Sequence, residues 1–471
     1  MRRPAAIIPS LILALVHPCS SSLGSGSPAA DPQTASFAVA ETIVDGRNPG
    51  IRVVGLRPNE VVRIHALRSL GKWQDEGGRY RPLRQPLHAY ADFAASDAGA
   101  IEVDAAMPLN GTFSRPDPLA LLRTGYRFGD PALKGVRTFQ REPLDAAPED
   151  RVSLRLERGG ELAAESSFRL VASAEGLTFE EASGAGWHAV YARPAAGAKL
   201  PALMTLHGSE GGGVDKARSR AAQFAARGFA TLAINYFAHP WEPIKGVPTK
   251  HIEIKVEIIE SARDWLRARP EVAGDRLALH GTSKGAEFAL LAATRYEWIS
   301  SVVAVVPSDI VWEGYSLDGG RSEVRSSWSI GGDPVPFVPL FAYDPKQEGV
   351  YRTNTERYQR SRSHHADRAS AARIPIEKTK ARVLLLGSDR DEVWASGEMA
   401  RNLAERSSLA ENAGRLEVKI YPKAGHQIAG TGTFPIRLYG EQSADAAAKD
   451  IVAEGEAAAD AWQRTLRFLG R

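Results

Sequence analysis

Residues 276–287 read Arg276-Leu-Ala-Leu-His280-Gly281-Thr282-Ser283-Lys284-Gly285-Ala286-Glu287. A short apolar strand runs into a Gly-x-Ser-x-Gly turn and then into a helix expected over Ala286 to about Thr294. That order is what a nucleophile elbow requires. The serine sits on a strained turn, and glycines flank it because a side chain there collides with the neighbouring strand and helix. The hydroxyl is thereby held above a sheet edge, where the N–H groups that open the helix point at the same spot. A Gly-x-Ser-x-Gly in a chain with 43 glycines is weak by itself, so the surrounding pattern decides its meaning.

That pattern changes near residue 200. Ala202-Leu-Met-Thr-Leu206 is a buried-type strand, Lys216 to Arg227 has helical spacing, and Phe229 to Tyr236 is again a strand. His251 to Arg267 is expected to be helical, with Ile252, Val256, Ile259 and Trp265 on one side. The segments 276–280, 301–306, 383–386 and 416–421 complete the strands. Strands alternating with helices imply a parallel α/β sheet. Residues 308–372 break the rhythm, are rich in Ser, Arg, Gly and Pro, and read as a lid or insertion above the sheet edge.

From about Thr34 to Leu170 the periodicity is two, as in Val152-Ser-Leu-Arg-Leu-Glu157, with turn signals such as Asp45-Gly46 and Asn110-Gly111. This predicts an all-β sandwich with no helix longer than three turns. The expected domains are therefore a leader over 1–30, a β-sandwich over 31–178 and an α/β domain over 179–471.

The leader follows from Arg2-Arg3, an apolar run from Ala5 to Val16, and a small, polar stretch to Ala30, the order of a secretory signal peptide. It predicts export, periplasmic or secreted, with a cytoplasmic chain as the alternative. The single cysteine, Cys19, lies inside the leader and is the candidate for a lipid anchor. Its removal excludes a disulfide, a thiol nucleophile and a cysteine metal site from the mature chain. The run is too short for a membrane span, and no later segment is apolar enough for one. A net charge of +3 with both signs interspersed does not point to nucleic acid.

A serine hydrolase needs a base, a group that orients it and oxyanion donors. In an α/β-hydrolase these follow in the order nucleophile, acid, histidine. Asp389 and Asp391 both follow the 383–386 strand, and His426 follows the last strand. The loop His207-Gly208-Ser209-Glu210-Gly211-Gly212-Gly213 follows an early strand and is expected to offer a main-chain N–H of Ser209 or Glu210, beside that of Lys284, to an oxyanion. The loop lacks the Lys-Ser/Thr of a P-loop. His280 is expected to pack beneath the elbow, and His364-His365 to lie on a solvated loop. No histidine pair at ligand spacing suggests a metal, and no cofactor is expected.

Gly-Thr-Ser283-Lys-Gly-Ala-Glu287, Asp391-Glu-Val-Trp394-Ala-Ser396 and Ala-Gly-His426 resemble the acyl-CoA thioesterases and bile acid-CoA:amino acid N-acyltransferases. Gly111-Thr-Phe-Ser-Arg-Pro-Asp117-Pro-Leu resembles a segment of that family's first domain. The resemblance thus covers nearly the whole mature chain. It implies an immunoglobulin-like β-sandwich followed by an α/β-hydrolase, with Ser283 as nucleophile and His426 as base. Counting back from Trp394 selects Asp391 as the acid, with Asp389 as the alternative. The family's transferases carry cysteine at the elbow and its hydrolases serine, so Ser283 implies hydrolysis of an acyl thioester. An exported chain meets little acyl-CoA. A carboxylic ester, lactone or acylated peptide is therefore the rival substrate class, and a non-enzymatic binding protein on the same scaffold the rival function.

Overall fold

The computed structural model describes residues 34–75, 80–139, 150–172, 176–197, 199–317, 323–341, 353–410, 414–434 and 451–470. The leader and Cys19 lie outside the described residues.

The first part of the chain builds two facing sheets. Ser36–Ala38, Arg52–Val54 and Ile101–Glu102 form a small antiparallel sheet. The larger one runs Thr42–Val44, Glu161–Val171, Asp150–Arg158, Val61–Asp75, Tyr80–Ala94 and Asn110–Gly111 in spatial order. Alternation of side chains across a pleat explains the period of two: Val152, Leu154 and Leu156 are buried and the residues between them are not. Val53 and Ile101 from one sheet meet Ile64, Phe93 and Phe168 from the other in a shared core. The immunoglobulin-like arrangement that the resemblance implies is matched here only as far as this two-sheet sandwich. Asn110-Gly111 is not a turn. It pairs with Ala91 and Asp92, and Gly111 takes φ 147° where a Cβ would lie 2.4 Å from the Tyr90 carbonyl oxygen.

The second part is one eight-stranded sheet. Its strands in chain order are β1 (Leu177–Gly184), β2 (Trp187–Pro194), β3 (Leu200–Leu206), β4 (Ala230–Asn235), β5 (Val272–Thr282), β6 (Ile299–Val305), β7 (Arg382–Ser388) and β8 (Leu416–Tyr421). They lie in the spatial order β1-β2-β4-β3-β5-β6-β7-β8. β2 is antiparallel to β1 and β4, and β4, β3, β5, β6, β7 and β8 are mutually parallel. That is the α/β-hydrolase fold. Every residue of β4 is buried, as expected for a strand covered by helices on both faces. The helices of this part are α1 (Val214–Ala225), α2 (Ile258–Arg267), α3 (Lys284–Arg295), α4 (Asn354–His364), α5 (Ala366–Ala371), α6 (Ser396–Ser408) and α7 (Ile451–Leu469).

Two expectations are corrected. The helix expected from His251 begins only at Ile258, because Lys250–His251 and Ile254–Lys255 are strand pieces that pair with residues 315–316 and 328–329 of the insertion. Apolar residues in a short buried strand mimic helical spacing when read without their partners. His364-His365 are not on a loop: His364 ends α4 and His365 joins it to α5.

The two parts are held together by polar contacts, most of them buried or partly buried, as well as by apolar packing. Arg68 of the sandwich makes a two-point ion pair with Asp150, donates to the Leu122 carbonyl at 2.9 Å, and also donates to the Thr433 carbonyl across the interface. Asp45 accepts from the hydroxyls of Thr431 (2.8 Å) and Thr433, and Arg227 donates to the Asp45 carbonyl. Arg115 pairs with Glu456 of α7. Replacing Arg68 with Ala leaves Asp150 and two carbonyl groups without their donor. Asp150 keeps some solvent, so the expected loss is about 2–3 kcal/mol. It is to be read from urea unfolding followed by tryptophan fluorescence, and a loss below about 1 kcal/mol would contradict this account of the interface.

Candidate active site

Ser283 follows β5 and caps α3 with φ 55° and ψ −119°, a conformation that costs a non-glycine residue on the order of 1–3 kcal/mol. The surroundings impose it. The Ser283 N–H donates to the Val305 carbonyl at 2.9 Å, and its own carbonyl accepts from Ala286 and Glu287. The flanking glycines are spatial necessities. A Cβ on Gly281 would lie 2.1 Å from the Gly285 carbonyl oxygen, and one on Gly285 would lie 2.4 Å from the carbonyl oxygens of Leu206 and His207. The helix α3 therefore starts against β3, and the N–H of Lys284, as the first residue of that helix, has no acceptor within it.

His426 follows β8. Its Nδ1 lies 2.8 and 2.9 Å from the two carboxylate oxygens of Asp391. The N–H groups of Val393 and Trp394 donate to Asp391 Oδ1 at 2.9 and 3.1 Å, so the acid is held by its own loop. Asp389, two residues earlier, points elsewhere and makes a two-point ion pair with Arg401. With Nδ1 facing Asp391, the imidazole presents Nε2 to the cavity that Ser283 also lines. Burial disfavours the imidazolium, but Asp391, with Glu392 and Glu454 nearby, outweighs it, so the His426 pKa is raised above the ordinary 6.5.

The glycine-rich loop after β3 passes beside the serine. A Cβ on Gly208 would lie 3.4 Å from that of Ser283. Ser209 and Glu210 line the cavity with them. The Glu210 carboxylate folds back to accept the Gly208 N–H at 3.2 Å. His280 lines the cavity beneath the elbow against Phe224, and burial lowers its pKa to about 4.

Several supporting residues carry no signal as isolated letters. Glu287, one helical turn after Lys284, is fully buried and accepts two hydrogen bonds from Lys284 Nζ at 2.8 and 2.9 Å. It also accepts from Trp328 Nε1 at 2.7 Å and the Trp312 N–H at 3.3 Å. Burial pushes Lys284 down and Glu287 up, the pairing opposes both, and the tryptophan donors favour the carboxylate. A Lys and a Glu three apart on an otherwise apolar helix were the available clue. The insertion that supplies Trp312 and Trp328 reaches the other loops too. Tyr315 donates to the Ser209 carbonyl at 3.0 Å and the Thr355 hydroxyl to the Asp391 carbonyl at 2.6 Å. Glu392 accepts the His426 N–H, and Glu454 of α7 the Gln427 N–H. Among the described residues no group of three His, Cys, Asp or Glu is arranged to hold a metal, and no helix is long and apolar enough to cross a membrane.

A strained serine at the start of a helix and a histidine oriented by a carboxylate, both lining one cavity, can carry out acyl transfer. Residues 254–471 match the family model described as BAAT / Acyl-CoA thioester hydrolase C terminal. The chain is 26% identical over 434 residues to mouse "Acyl-coenzyme A thioesterase 2, mitochondrial", covering 89% of this chain and 85% of that one. It is 24% identical over 434 residues to the mouse "Peroxisomal succinyl-coenzyme A thioesterase", covering 89% and 92%. A solved putative dienelactone hydrolase from Klebsiella pneumoniae covers 63% of this chain and 99% of its own, with 16% identity and a TM-score of 0.38, a likeness too distant to add to the strand order above.

Breaking the buried pair from one side is expected to be worse than removing it. Glu287→Leu leaves the Lys284 ammonium buried and uncompensated, at about 3–5 kcal/mol, whereas Lys284→Met with Glu287→Leu costs clearly less. Chemical unfolding of the single and double variants checks the order, and a double variant less stable than Glu287→Leu contradicts it.

Proposed function

The chain belongs to the BAAT/acyl-CoA thioester hydrolase family, and on that footing we propose that it hydrolyses acyl thioesters through Ser283, His426 and Asp391. One observation carries the reading: a positive-φ serine shares a cavity with a histidine whose Nδ1 is held 2.8 Å from Asp391. His426 Nε2 takes the Ser283 hydroxyl proton as Oγ bonds to the thioester carbonyl carbon. The carbonyl electron pair moves to oxygen, where the N–H of Lys284 and one from the Ser209–Glu210 loop hold it. The oxyanion collapses, the carbon–sulfur bond breaks, and the thiolate takes the proton from His426. Water then attacks the acyl enzyme, its proton passes through His426 to Ser283, and the free acid leaves. Asp391 keeps the imidazole in the tautomer with hydrogen on Nδ1 and stabilises the imidazolium.

A second reading rests on the signal-like N-terminus: export of the mature chain, and a carboxylic ester in place of a CoA thioester. The same machinery serves both. Turnover of palmitoyl-CoA and butyryl-CoA, measured beside p-nitrophenyl esters of the same acids, separates the two by the ratio of kcat/KM.

Ser283→Ala is expected to abolish labelling by a fluorophosphonate probe and to lower kcat by about 10⁴-fold or more. Persistent stoichiometric labelling of that variant removes Ser283 as the nucleophile. The base must be neutral to accept a proton, and the His426 pKa is raised. Activity should therefore fall as pH drops, with the midpoint of the acid limb of kcat/KM above 6.5. Asp391→Asn removes the largest raising contribution, so the midpoint should move down while kcat falls by about 10⁴-fold. An unshifted acid limb in that variant would show that another group controls the profile.

A further inference from the structure

The segment Gly111–Leu119 of the sandwich lines no part of the Ser283 cavity. It leads into the one-turn helix Ala120–Arg123, and together they grip the start of α7. Asp117 precedes that helix. Its carboxylate accepts the Leu119 N–H at 2.9 Å and pairs with the Arg123 guanidinium. Arg123 is 3% exposed, and its Nε and Nη1 have no hydrogen-bond partner among the described residues. What the side chain meets instead is the α7 backbone at Gly455, where a Cβ would lie 2.6 Å from Arg123 Cδ and 2.9 Å from Nε. Glycine is among the poorest residues inside a helix, so its presence at 455 is accounted for by the room Arg123 needs. One residue on, Glu456 pairs with Arg115. Further along, Ala459 of α7 packs against the sandwich core.

Successive side chains of a helix point about 100° apart, so Glu454 faces a third direction. It is 1% exposed and accepts the Gln427 N–H at 2.8 Å. Glu392 of the acid loop accepts the neighbouring His426 N–H at 3.0 Å. Gly425 lets both carboxylates close on this turn: a Cβ there would lie 2.6 Å from Glu392 Oε2 and 3.1 Å from Glu454 Oε1. The backbone at His426 and Gln427 is thus clamped between two carboxylates, one that comes with Asp391 and one that comes with α7. Buried main-chain N–H groups are costly to leave unmet, so the turn follows both.

We propose, resting on the reading of His426 as the base, that Glu454 is a positioning residue for His426, and that the sandwich sets its place through Arg123 on Gly455. The path runs from Asp117 to Arg123, the first turn of α7, Glu454, the Gln427 N–H and the imidazole. None of its residues from Asp117 to Glu454 lines the cavity. The sandwich therefore acts on kcat, through the placement of the base, and leaves substrate binding alone. Glu454 bears on the proton affinity of the base as well. The charged groups that face the imidazole are Asp391 and Glu392 from the acid loop and Glu454 from α7, and all three favour its cationic form.

The test uses the full chain with butyryl-CoA. Glu454→Gln keeps an acceptor oxygen for the Gln427 N–H and removes the charge. The acid limb of kcat/KM should move to lower pH, because the imidazolium loses one of its carboxylates, with kcat within about 3-fold of wild type. Glu454→Ala removes the acceptor too, and kcat should fall about 10–100-fold with KM changed by about 3-fold at most. Gly455→Leu drives a side chain into Arg123. It should reproduce that fall from the sandwich side, although leucine suits a helix better than glycine. Adding Arg123→Ala makes room for the leucine and should recover most of the loss. Thermal unfolding checks that each variant is folded at the assay temperature. An unmoved acid limb in Glu454→Gln, a loss carried by KM in Glu454→Ala, or a double variant no better than Gly455→Leu overturns the proposal. If the wild type hydrolyses neither butyryl-CoA nor p-nitrophenyl butyrate, the hydrolase reading falls instead, and titration of the His426 ring by NMR decides the positioning. A lower pKa in Glu454→Gln with an altered ring signal in Gly455→Leu upholds it, and wild-type behaviour in both overturns it.

Discussion

The start of α3 lies against β3 with no room for a side chain between them. Gly281 and Gly285 are the residues that permit this, since a Cβ on either would lie within 2.4 Å of a carbonyl oxygen. The contact forces the chain to turn in one residue, and that residue is Ser283 at φ 55°. Everything else at the site is arranged around the turn. The helix α3 opens directly after it, the Gly208 loop passes beside it, and His426, which follows β8, lines the same cavity. The strain of one residue is repaid by the packing of a whole helix on a sheet in which β4 is buried at every residue.

A charged residue directly after the serine would be awkward in such a core. Lys284 is tolerated because Glu287 meets it, and Trp312 and Trp328 meet Glu287. The Lys284 Nζ also lies 5.6 Å from the centre of the Trp328 ring. The pair therefore links the elbow helix to the insertion. The insertion in turn touches the Gly208 loop through Tyr315 and the acid loop through Thr355. Three loops that come from distant parts of the chain share one neighbour.

The histidine loop is supported from the opposite side. Residues 426–434 cross from β8 towards the sandwich, where Asp45 and Arg68 take up Thr431 and Thr433. Glu454 of α7 holds the Gln427 N–H. The sandwich is thus more than an appendage: its polar edge closes the end of the loop that carries His426. Hydrogen bonds made out of bulk water are costly to leave unmet, so such contacts define a single arrangement more sharply than apolar packing does.

Much of this was legible in the linear chain. Gly-x-Ser-x-Gly between an apolar strand and a helix specifies an elbow, because only that turn needs small residues on both sides of a serine. Period-two runs announced the sandwich, and alternating strands and helices the α/β sheet. Both patterns record which face of an element is buried, which is a local property. Asp391 against Asp389 was open on the residues alone, since the two differ by two positions on one loop. Only the folded loop turns one towards His426 and the other towards Arg401. The segment 251–257 read as helix because its pairing partners lie far along the chain, at Tyr315, Trp328 and Ser329. Glu287 and Glu454 are ordinary charged letters on helices. Their importance comes from what surrounds them: a buried ammonium and the Gln427 N–H. The sequence by itself determined the elements and the order of the reactive groups, because these depend on neighbouring residues. The tertiary structure alone decided which charges are buried together and which aspartate meets His426, because burial and partner distance are set by parts of the chain far apart in sequence.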